Sequence, residues 1–362
     1  MNLIDKAKQL PSTPGVYLMK DSHGSIIYVG KSKNLKSRVS SYFQHSSQHS
    51  NKVIKLVHHL KDFDIIHTDT EFEAFMLECK LIKDIQPLYN RMMKNPRSYS
   101  YISVKRDQSY RRIEFVHEME EGDRHLYFGP FSSIGTTEKA IQGLKEMFKL
   151  DCNQSTTKNS PCLNYSLGLC MGMCFDPSAL KQYHHMIDRI IGLLEGTDSS
   201  LLEEMEQRMI QASSQFDFEE AAKVRDRIEW VQSLLKKEQV IRFIEEDQNI
   251  VMMEYIGDNR VKMFLIRRNQ ILFSKVYGLD HTNLEKLVQQ IKSEILSYFS
   301  QPKQSMKKIK KDEIDEAAII YRYMNSHDRE CIIIPDQWLN SKRMNKMEQA
   351  VLRLVSSLTA SV

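Results

Sequence analysis

Tyrosines and basic side chains recur at set intervals in the first 42 residues of the chain. A Gly-Val-Tyr run ends at Tyr17, a Tyr-Val-Gly-Lys run begins eleven residues later at Tyr28, and Arg38 and Tyr42 follow. Hydrolysis of a phosphodiester needs fixed positive charge around the transition state and a polarised water. One metal ion together with Lys31 and Arg38 can supply both, so this set predicts cleavage of a nucleic-acid strand.

Basic charge is concentrated in the same part of the chain. The whole sequence of 362 residues has a net charge of +4, whereas residues 1–100 contain 15 Lys and Arg against 9 Asp and Glu. That surplus suits a polyanionic partner through counterion release, although a solvated basic surface would have the same composition. The 41% hydrophobic and 27% charged residues describe a globular chain, and its length predicts about two to four domains. Because the first residues lack an apolar signal segment and no apolar run approaches roughly 18 residues, we expect a cytoplasmic protein.

Two short strands and a helix must position these side chains. Residues 16–20 and 26–30 predict strands joined by a tight turn. Ser32 is expected to cap a helix that runs to Tyr42, and Arg38 shares one face of that helix with Tyr42.

A third strand is expected at 64–68, followed by a helix from about 71 to 84. Glu78 lies on the flank of the apolar side of this helix, at the rim of the core. A metal ligand would lie there, and a solvated glutamate is an equal alternative.

The rest of the chain alternates between strand-like and helical patterns. We expect strands at 101–104 and 113–116, a helix at 137–148, helices over 178–240 with a break at 213–217, a three-stranded meander over 250–277, a helix at 284–299, a polar basic linker at 301–313, a helix near 313–325, a strand at 331–334 and a last helix near 341–359.

The order of these motifs resembles the GIY-YIG nucleases, and more narrowly the N-terminal half of the UvrC component of excinuclease ABC and its Cho-type relatives. The resemblance rests on Gly-Val-Tyr, Tyr-Val-Gly-Lys-x-x-Asn-Leu-x-x-Arg-Val-x-x-Tyr, Glu-Ala-Phe-x-Leu-Glu and Pro-x-Tyr-Asn, in that order. It implies an α+β chain in four parts. These are a GIY-YIG nuclease domain with a small three-stranded antiparallel sheet (1–97), a segment with a four-cysteine cluster (98–180), a helical region with a UVR hairpin (181–240) and a C-terminal α/β domain (241–362).

The resemblance also implies a role for each residue of the pattern. In the implied site Tyr17 faces Tyr28, and Tyr28 helps to deprotonate the attacking water. Lys31 and Arg38 stabilise the transition state, and Tyr42 positions the scissile phosphate. Glu78 holds a single Mg²⁺ or Mn²⁺, and Asn90 supports the site. An unperturbed tyrosine has a pKa of roughly 10, so Tyr28 can act as a base only if nearby cations lower that pKa. Magnesium accepts a single protein carboxylate when water fills the rest of its shell.

Four cysteines, Cys152, Cys162, Cys170 and Cys174, lie within 23 residues. Their spacing lacks the paired Cys-x-x-Cys of a zinc ribbon. The resemblance associates this arrangement with an iron-sulfur cluster, and four thiolates can hold a 4Fe-4S cluster. We favour the cluster over Zn²⁺, and four buried cysteines without a ligand remain an alternative.

Residues 216–228 resemble the UVR motif, which in this family pairs with a hairpin on the damage-loading protein UvrB. Small side chains there would let a partner helix approach closely, while charged ones would order the rim. The candidate partner-binding residues are Phe216, Phe218, Glu219, Ala221, Ala222 and Arg225. A hairpin that packs only on its own domain is the alternative.

Full-length members of this family carry a second, RNase H-like nuclease and helix-hairpin-helix repeats, for which the chain is too short. We therefore expect one incision per visit, 3′ to the lesion by analogy. The predicted function is that of a metal-dependent, structure-selective DNA endonuclease of nucleotide excision repair, acting on damaged double-stranded DNA presented by a UvrB-like protein. A non-catalytic adaptor that binds UvrB and competes with full-length UvrC is the alternative.

Overall fold

The computed structural model describes residues 2–44, 50–90, 93, 99–105, 111–120, 124–152, 161–279, 284–303, 309, 313–326, 330–340 and 343–360. The chain divides into two compact units. One unit combines Met1–Pro96 with Phe243–Val362, and the other is Arg97–Arg242. The first unit is therefore discontinuous in sequence, whereas the four predicted segments follow one another along the chain.

The amino-terminal part of the first unit is a three-stranded antiparallel sheet with helices around it. Its elements are α1 (Leu3–Lys8), β1 (Gly15–Lys20), β2 (Ile26–Ser32), α2 (Leu35–Ser41), α3 (Asn51–His59), β3 (Asp62–His67) and α4 (Glu71–Ile85). The strand order is β2-β1-β3, so β2 is an edge strand. Tyr17 of β1 stands opposite Gly30 of β2 and Ile65 of β3. The expected hairpin, third strand and long helix are all present, with β3 starting at Asp62.

The predicted cap at Ser32 is wrong. Asn34 caps α2, because its side chain accepts a hydrogen bond of 2.9 Å from the Ser37 amide. Ser32 instead donates its hydroxyl to the Asn34 carbonyl at 2.7 Å and thereby braces the cap. The buried stripe of Leu35 and Val39 is confirmed.

The second unit contains a small sheet, the cysteine segment and the longest helices. Its elements are β4 (Ser100–Lys105), β5 (Ile113–Val116), β6 (His125–Phe131), α5 (Ile134–Met147), α6 (Leu163–Ser166), α7 (Pro177–Glu195), α8 (Ser200–Ser214) and all but the last four residues of α9 (Phe218–Glu246). The sheet has the order β5-β4-β6 and is antiparallel. Apolar side chains of α5, α7 and α9 contribute to the core of the second unit, among them Leu144, Ile187 and Ile228.

The carboxyl-terminal part of the first unit is a second antiparallel sheet with helices. Its elements are β7 (Asn249–Gly257), β8 (Arg260–Arg267), β9 (Gln270–Gly278), α10 (Leu284–Phe299), α11 (Glu313–Met324), β10 (Glu330–Ile334), a 3₁₀ turn (Asp336–Leu339) and α12 (Met344–Ala360). The strand order is β10-β7-β8-β9, which confirms the meander. Most of the linker predicted at 301–313 lies outside the described residues.

Among the helices of the described ranges, none is both long enough and apolar enough to cross a membrane.

Candidate nuclease site

The two glycines of the first motifs leave room for close contacts. A Cβ atom on Gly30 would lie 2.3 Å from the Tyr17 ring and hydroxyl, because the ring lies directly over that position of β2. A Cβ atom on Gly15 would lie 2.4 Å from the Ile66 carbonyl oxygen. Real Cβ atoms do not approach that closely, so each position requires glycine.

Three tyrosines come together beside the hairpin. The hydroxyls of Tyr17 and Tyr42 are 2.8 Å apart and hydrogen-bonded. The rings of Tyr17 and Tyr28 have centroids 6.1 Å apart, and the Tyr28 hydroxyl is hydrogen-bonded to Tyr42. Arg38 donates from Nε to the Tyr17 hydroxyl at 3.4 Å, and its guanidinium lies 5.3 Å from the centroid of the Tyr42 ring. The hairpin and α2 thus place one cation among three phenols.

Burial disfavours the ionised form of two of these phenols, Tyr17 and Tyr28. Burial raises the pKa of Tyr28 well above its usual range, and the adjacent Tyr42 and Glu78 raise it further, whereas Arg38 offsets only part of the increase. Burial raises the pKa of Tyr17 as well. The lowered pKa that a tyrosine base requires is therefore not produced by the side chains of the protein alone.

Glu78 lies at the rim of the core, close to Tyr28 and Arg38. Its Oε1 accepts a hydrogen bond of 3.0 Å from the Lys31 backbone amide at the end of β2. Burial raises the pKa of this carboxyl, and the hydrogen bond and charge of Lys31, together with the charge of Arg38, work against that increase. The acid is thus half-buried beside Tyr28 and Arg38, where a cation would be favourable.

The ammonium group of Lys31 points toward α4. It forms an ion pair of 2.6 Å with Glu71 and lies 4.4 Å from the centroid of the Phe75 ring. Its charge is therefore balanced by a carboxylate. Arg38 makes no such pair among the described residues.

Asn90 fastens the edge strand. Its Oδ1 accepts a hydrogen bond of 3.0 Å from the Val29 amide, and its Nδ2 donates one of 2.9 Å to the Val29 carbonyl. The side chain thus pairs with β2 as a neighbouring strand would. Since Val29 lies between Tyr28 and Gly30, this clamp fixes the strand at the centre of the site.

Lys52 belongs to this site and was missed by the sequence reasoning. It lies in the first turn of α3, a helix that was not predicted, and its ammonium is 5.4 Å from the centroid of the Tyr28 ring. No carboxylate pairs with it in the described part of the chain. A capping signal was present in Ser50, whose hydroxyl accepts from the Val53 amide at 3.5 Å.

The four cysteines of the second unit lie in one segment, and none of them forms a disulfide with another cysteine of the described residues. Cys162 is hydrogen-bonded to Cys174, and an amide hydrogen bond from Tyr165 lowers the pKa of Cys162. Cys170 is close enough to raise the pKa of Cys174, although burial is the larger cause there. Within the described ranges, no three or more His, Cys, Asp or Glu side chains are grouped as a metal site.

The tip of the helical hairpin formed by α8 and α9 is exposed to solvent. Phe216 is 80% exposed and Phe218 is 64% exposed, with their rings edge to face at 6.2 Å. Asp217 caps α9 by accepting from the Glu220 amide at 3.1 Å, which holds the tip in shape. The opposite side of the helix, at Val224, is buried in the core of the second unit.

The remaining candidates on α9 flank this tip. Glu219 and Arg225 are exposed and pair with Lys223 and Asp226 on their own helix, while Ala221 and Ala222 are half-buried. The structure therefore brings all six predicted partner-binding residues to one end of the hairpin.

A hairpin with paired Gly and Tyr motifs, followed by a helix with Arg and Tyr and a helix with a single acid, defines a nuclease domain of the GIY-YIG class. Three family models match the chain: a UvrC-like GIY-YIG domain at residues 13–91, the middle domain of UvrC/Cho excinuclease at 99–193 and the UvrB/UvrC motif at 199–234. The chain belongs to the UvrC family.

Many relatives are named UvrABC system protein C. That of Caldanaerobacter subterraneus subsp. tengcongensis is 34% identical over 358 residues, which are 97% of this chain and 55% of that protein. That of Alkaliphilus oremlandii is 32% identical over 353 residues, covering 96% of this chain and 54% of that protein. The chain spans about half the length of the curated relatives it matches.

A solved structure is also similar to the amino-terminal part. It is the GIY-YIG N-terminal endonuclease domain of UvrC from Thermotoga maritima bound to its catalytic divalent cation, magnesium. The two are 35% identical, the match covers 25% of this chain and 100% of that one, and the TM-score is 0.23.

Proposed function

We propose that this protein is a metal-dependent, structure-selective DNA endonuclease of nucleotide excision repair in the cytoplasm. It makes a single incision, 3′ to the lesion, in damaged double-stranded DNA presented by a UvrB-like partner. The observation that carries the proposal is the convergence of Glu78, Arg38 and three tyrosine hydroxyls beside one edge strand.

Glu78 is the residue that would hold Mg²⁺, or Mn²⁺ in its place. The half-buried position of its carboxylate supports this fit. Burial disfavours the negative charge, and the Lys31 amide donates a hydrogen bond to one of the two oxygens. A single carboxylate suits magnesium, which retains most of its water ligands. The bound ion would supply Lewis acidity and a water with a lowered pKa.

The protein's own side chains then orient the substrate. Arg38 has no carboxylate partner in the described residues, so its charge is available to the developing negative charge on the scissile phosphate. Tyr42, held by its bond to Tyr17, positions that phosphate. Tyr28, whose pKa is raised by burial, orients the attacking water by hydrogen bonding. Lys31 and Asn90 maintain the strand and α4 around these groups.

The second unit supplies partner recognition in this proposal. Exposed aromatic rings at a helical tip are the kind of anchor that a partner pocket takes up, and Phe216 and Phe218 are such rings. A UvrB-like protein would therefore dock on the hairpin and select the damaged DNA. Contacts of the nuclease site with phosphate give position without sequence readout.

We also propose a 4Fe-4S cluster on Cys152, Cys162, Cys170 and Cys174, with Zn²⁺ as the alternative. The contact of Cys162 with Cys174, the effect of Cys170 on Cys174 and the proximity of both Cys152 and Cys170 to Tyr183 support it. Anaerobic purification followed by visible absorbance and metal analysis tests the proposal. Bound iron and sulfide support the cluster, whereas bound zinc without visible absorbance contradicts it.

Nicking of lesion-bearing duplex DNA in Mg²⁺, with the UvrB-like partner present, tests the nuclease function. The wild type is expected to cut once on the 3′ side, and Glu78→Ala is expected to lose cutting while still binding the partner. Glu285→Ala removes an exposed acid from the first turn of α10 and serves as the matched control. Equal silence of the wild type and Glu78→Ala in Mg²⁺ and Mn²⁺ would refute the nuclease and favour the adaptor.

A further inference from the structure

The helix that carries Glu78 is held by the carboxyl-terminal part of the same unit. Phe72 of α4 is fully buried and packs edge to face on Phe264 of β8, with ring centroids 5.0 Å apart. Its other side meets Tyr323 of α11 at 5.1 Å, and Tyr323 also contacts Phe75 at 6.3 Å. An aromatic cluster therefore joins α4 to β8 and α11.

Ion pairs fix both ends of α4 beside this cluster. The ammonium of Lys262, on β8, lies 2.6 Å from Asp69 and 3.0 Å from Glu73, and the side chain of Lys262 is only 10% exposed. Glu73 is itself part of the amino-terminal cap of α4, because its amide donates to Thr70 at 3.1 Å. Lys262 thus ties the carboxylates on either side of this cap, those of Asp69 and Glu73, to β8.

At the other end of α4, Lys83 pairs with Glu316 of α11 at 3.2 Å. Asn269, from the turn after β8, donates to the second carboxylate oxygen of Glu316 at 2.8 Å. Both side chains of the ion pair are largely buried, so solvent screens them less than it would a surface pair. The helix is therefore held at both ends.

The face of α4 that is held in this way adjoins the face that forms the nuclease site. At 100° per residue, Glu71 and Glu78 lie within about 20° of each other, and so do Phe72 and Lys83, with about 120° between the centres of the two faces. A roll of α4 by about 20° would move a carboxylate roughly 6 Å from the helix axis by about 2 Å. Displacements of about 1 Å can lower a catalytic rate about 100-fold.

We propose that residues 243–362 position the nuclease centre, with Lys262 and Lys83 as the positioning residues that fix α4 and thereby the direction of Glu78. The same contacts reach Lys31, because Phe75 lies between its ammonium and Tyr323. The inference rests on the proposed function only in that Glu78 is taken as the metal ligand. It assigns a role to the part of the chain that follows the matched UvrB/UvrC motif.

The test uses the full chain with Lys262→Met, which keeps the apolar stem and removes the charge, and Lys83→Gln, which breaks the other end. Two measurements do not depend on nicking activity. The first is amide hydrogen exchange of α4, and the second is titration with Mn²⁺ alone, followed by electron paramagnetic resonance. The Mn²⁺ binding that Glu78→Gln removes is the part that belongs to this site. Both variants are expected to raise α4 exchange and weaken Mn²⁺ binding. The single-turnover nicking rate is expected to fall about tenfold or more at unchanged DNA affinity.

Controls separate positioning from general damage. Lys262→Arg keeps the charge and is expected to restore much of the rate, whereas Lys275→Met, at an exposed position of β9, is expected to behave as the wild type. Wild-type α4 exchange and Mn²⁺ binding in both Lys262→Met and Lys83→Gln would overturn the proposal. If the wild type does not nick DNA but the variants loosen α4 and weaken Mn²⁺ binding, the positioning role stands and the nuclease proposal fails.

Discussion

Replacing Asn90 with alanine tests how the edge strand is held. The change removes two hydrogen bonds, of 3.0 and 2.9 Å, and leaves the amide and carbonyl of the fully buried Val29 without these partners. A buried polar group left unsatisfied costs about 1–3 kcal/mol, so the pair is expected to cost about 2–4 kcal/mol of local stability after partial entry of water. Since about 1.4 kcal/mol is tenfold, β2 amides should exchange about 30- to 700-fold faster.

Hydrogen exchange is the suitable assay, because both tryptophans of the chain, Trp230 and Trp338, lie outside the amino-terminal sheet and do not report on it. Gln9→Ala removes an exposed amide after α1 and is the control, with exchange of β2 expected to match the wild type. Nicking should fall with the Asn90 variant, since β2 carries Tyr28 and Lys31. Exchange of β2 within about twofold of the wild type would refute the clamp, as such a change is under about 0.5 kcal/mol.

Three further changes test other parts of the structure. Lys52→Gln is expected to weaken DNA binding and reduce the salt slope of log K by about one, whereas Lys8→Gln, an exposed change on α1, should not; equal slopes would exclude a phosphate contact by Lys52. Gly30→Ala would place a Cβ 2.3 Å from the Tyr17 ring, so thermal unfolding should show a loss of about 1–3 kcal/mol together with lost nicking, and an unchanged melting temperature would contradict the packing. Phe216→Ala should weaken partner binding about 30-fold, equivalent to about 2 kcal/mol, with unchanged stability because the ring is exposed; calorimetry showing wild-type affinity would remove the tip from the interface.

Elements with a strong apolar period could be predicted from the sequence. The helix at 284–299 has the predicted ends, and the hairpin and the break before α9 are present. These elements bury one clear face, so local pattern and tertiary packing agree. The short α3 was missed although Val53, Leu56 and Val57 recur at helical spacing and pack in the core of this sheet. A helix of nine residues is marginal by itself, so its stability depends on that packing. Because α3 was not predicted, Lys52 was not identified as a residue near the site.

The sequence was enough to predict which residues of the candidate site lie together, but not all of the contacts that they make. The proximity of Tyr17, Tyr28 and Tyr42 follows from strand register and helix phase, which the motif spacing carries. The ion pair of Lys31 with Glu71 depends on the angle at which α4 crosses the sheet, which no local pattern encodes. The roles assigned to these residues remain predictions until the variants are measured.

The discontinuous first unit also sets a delay during protein synthesis. Phe72 leaves the ribosome about 190 residues before Phe264, the ring against which it packs. At about 5–20 residues per second, the nascent chain carries an uncovered aromatic face for roughly 10–40 s. Translation that stops within this window releases a chain with that face still open, which makes truncated products prone to aggregation and good clients for chaperones.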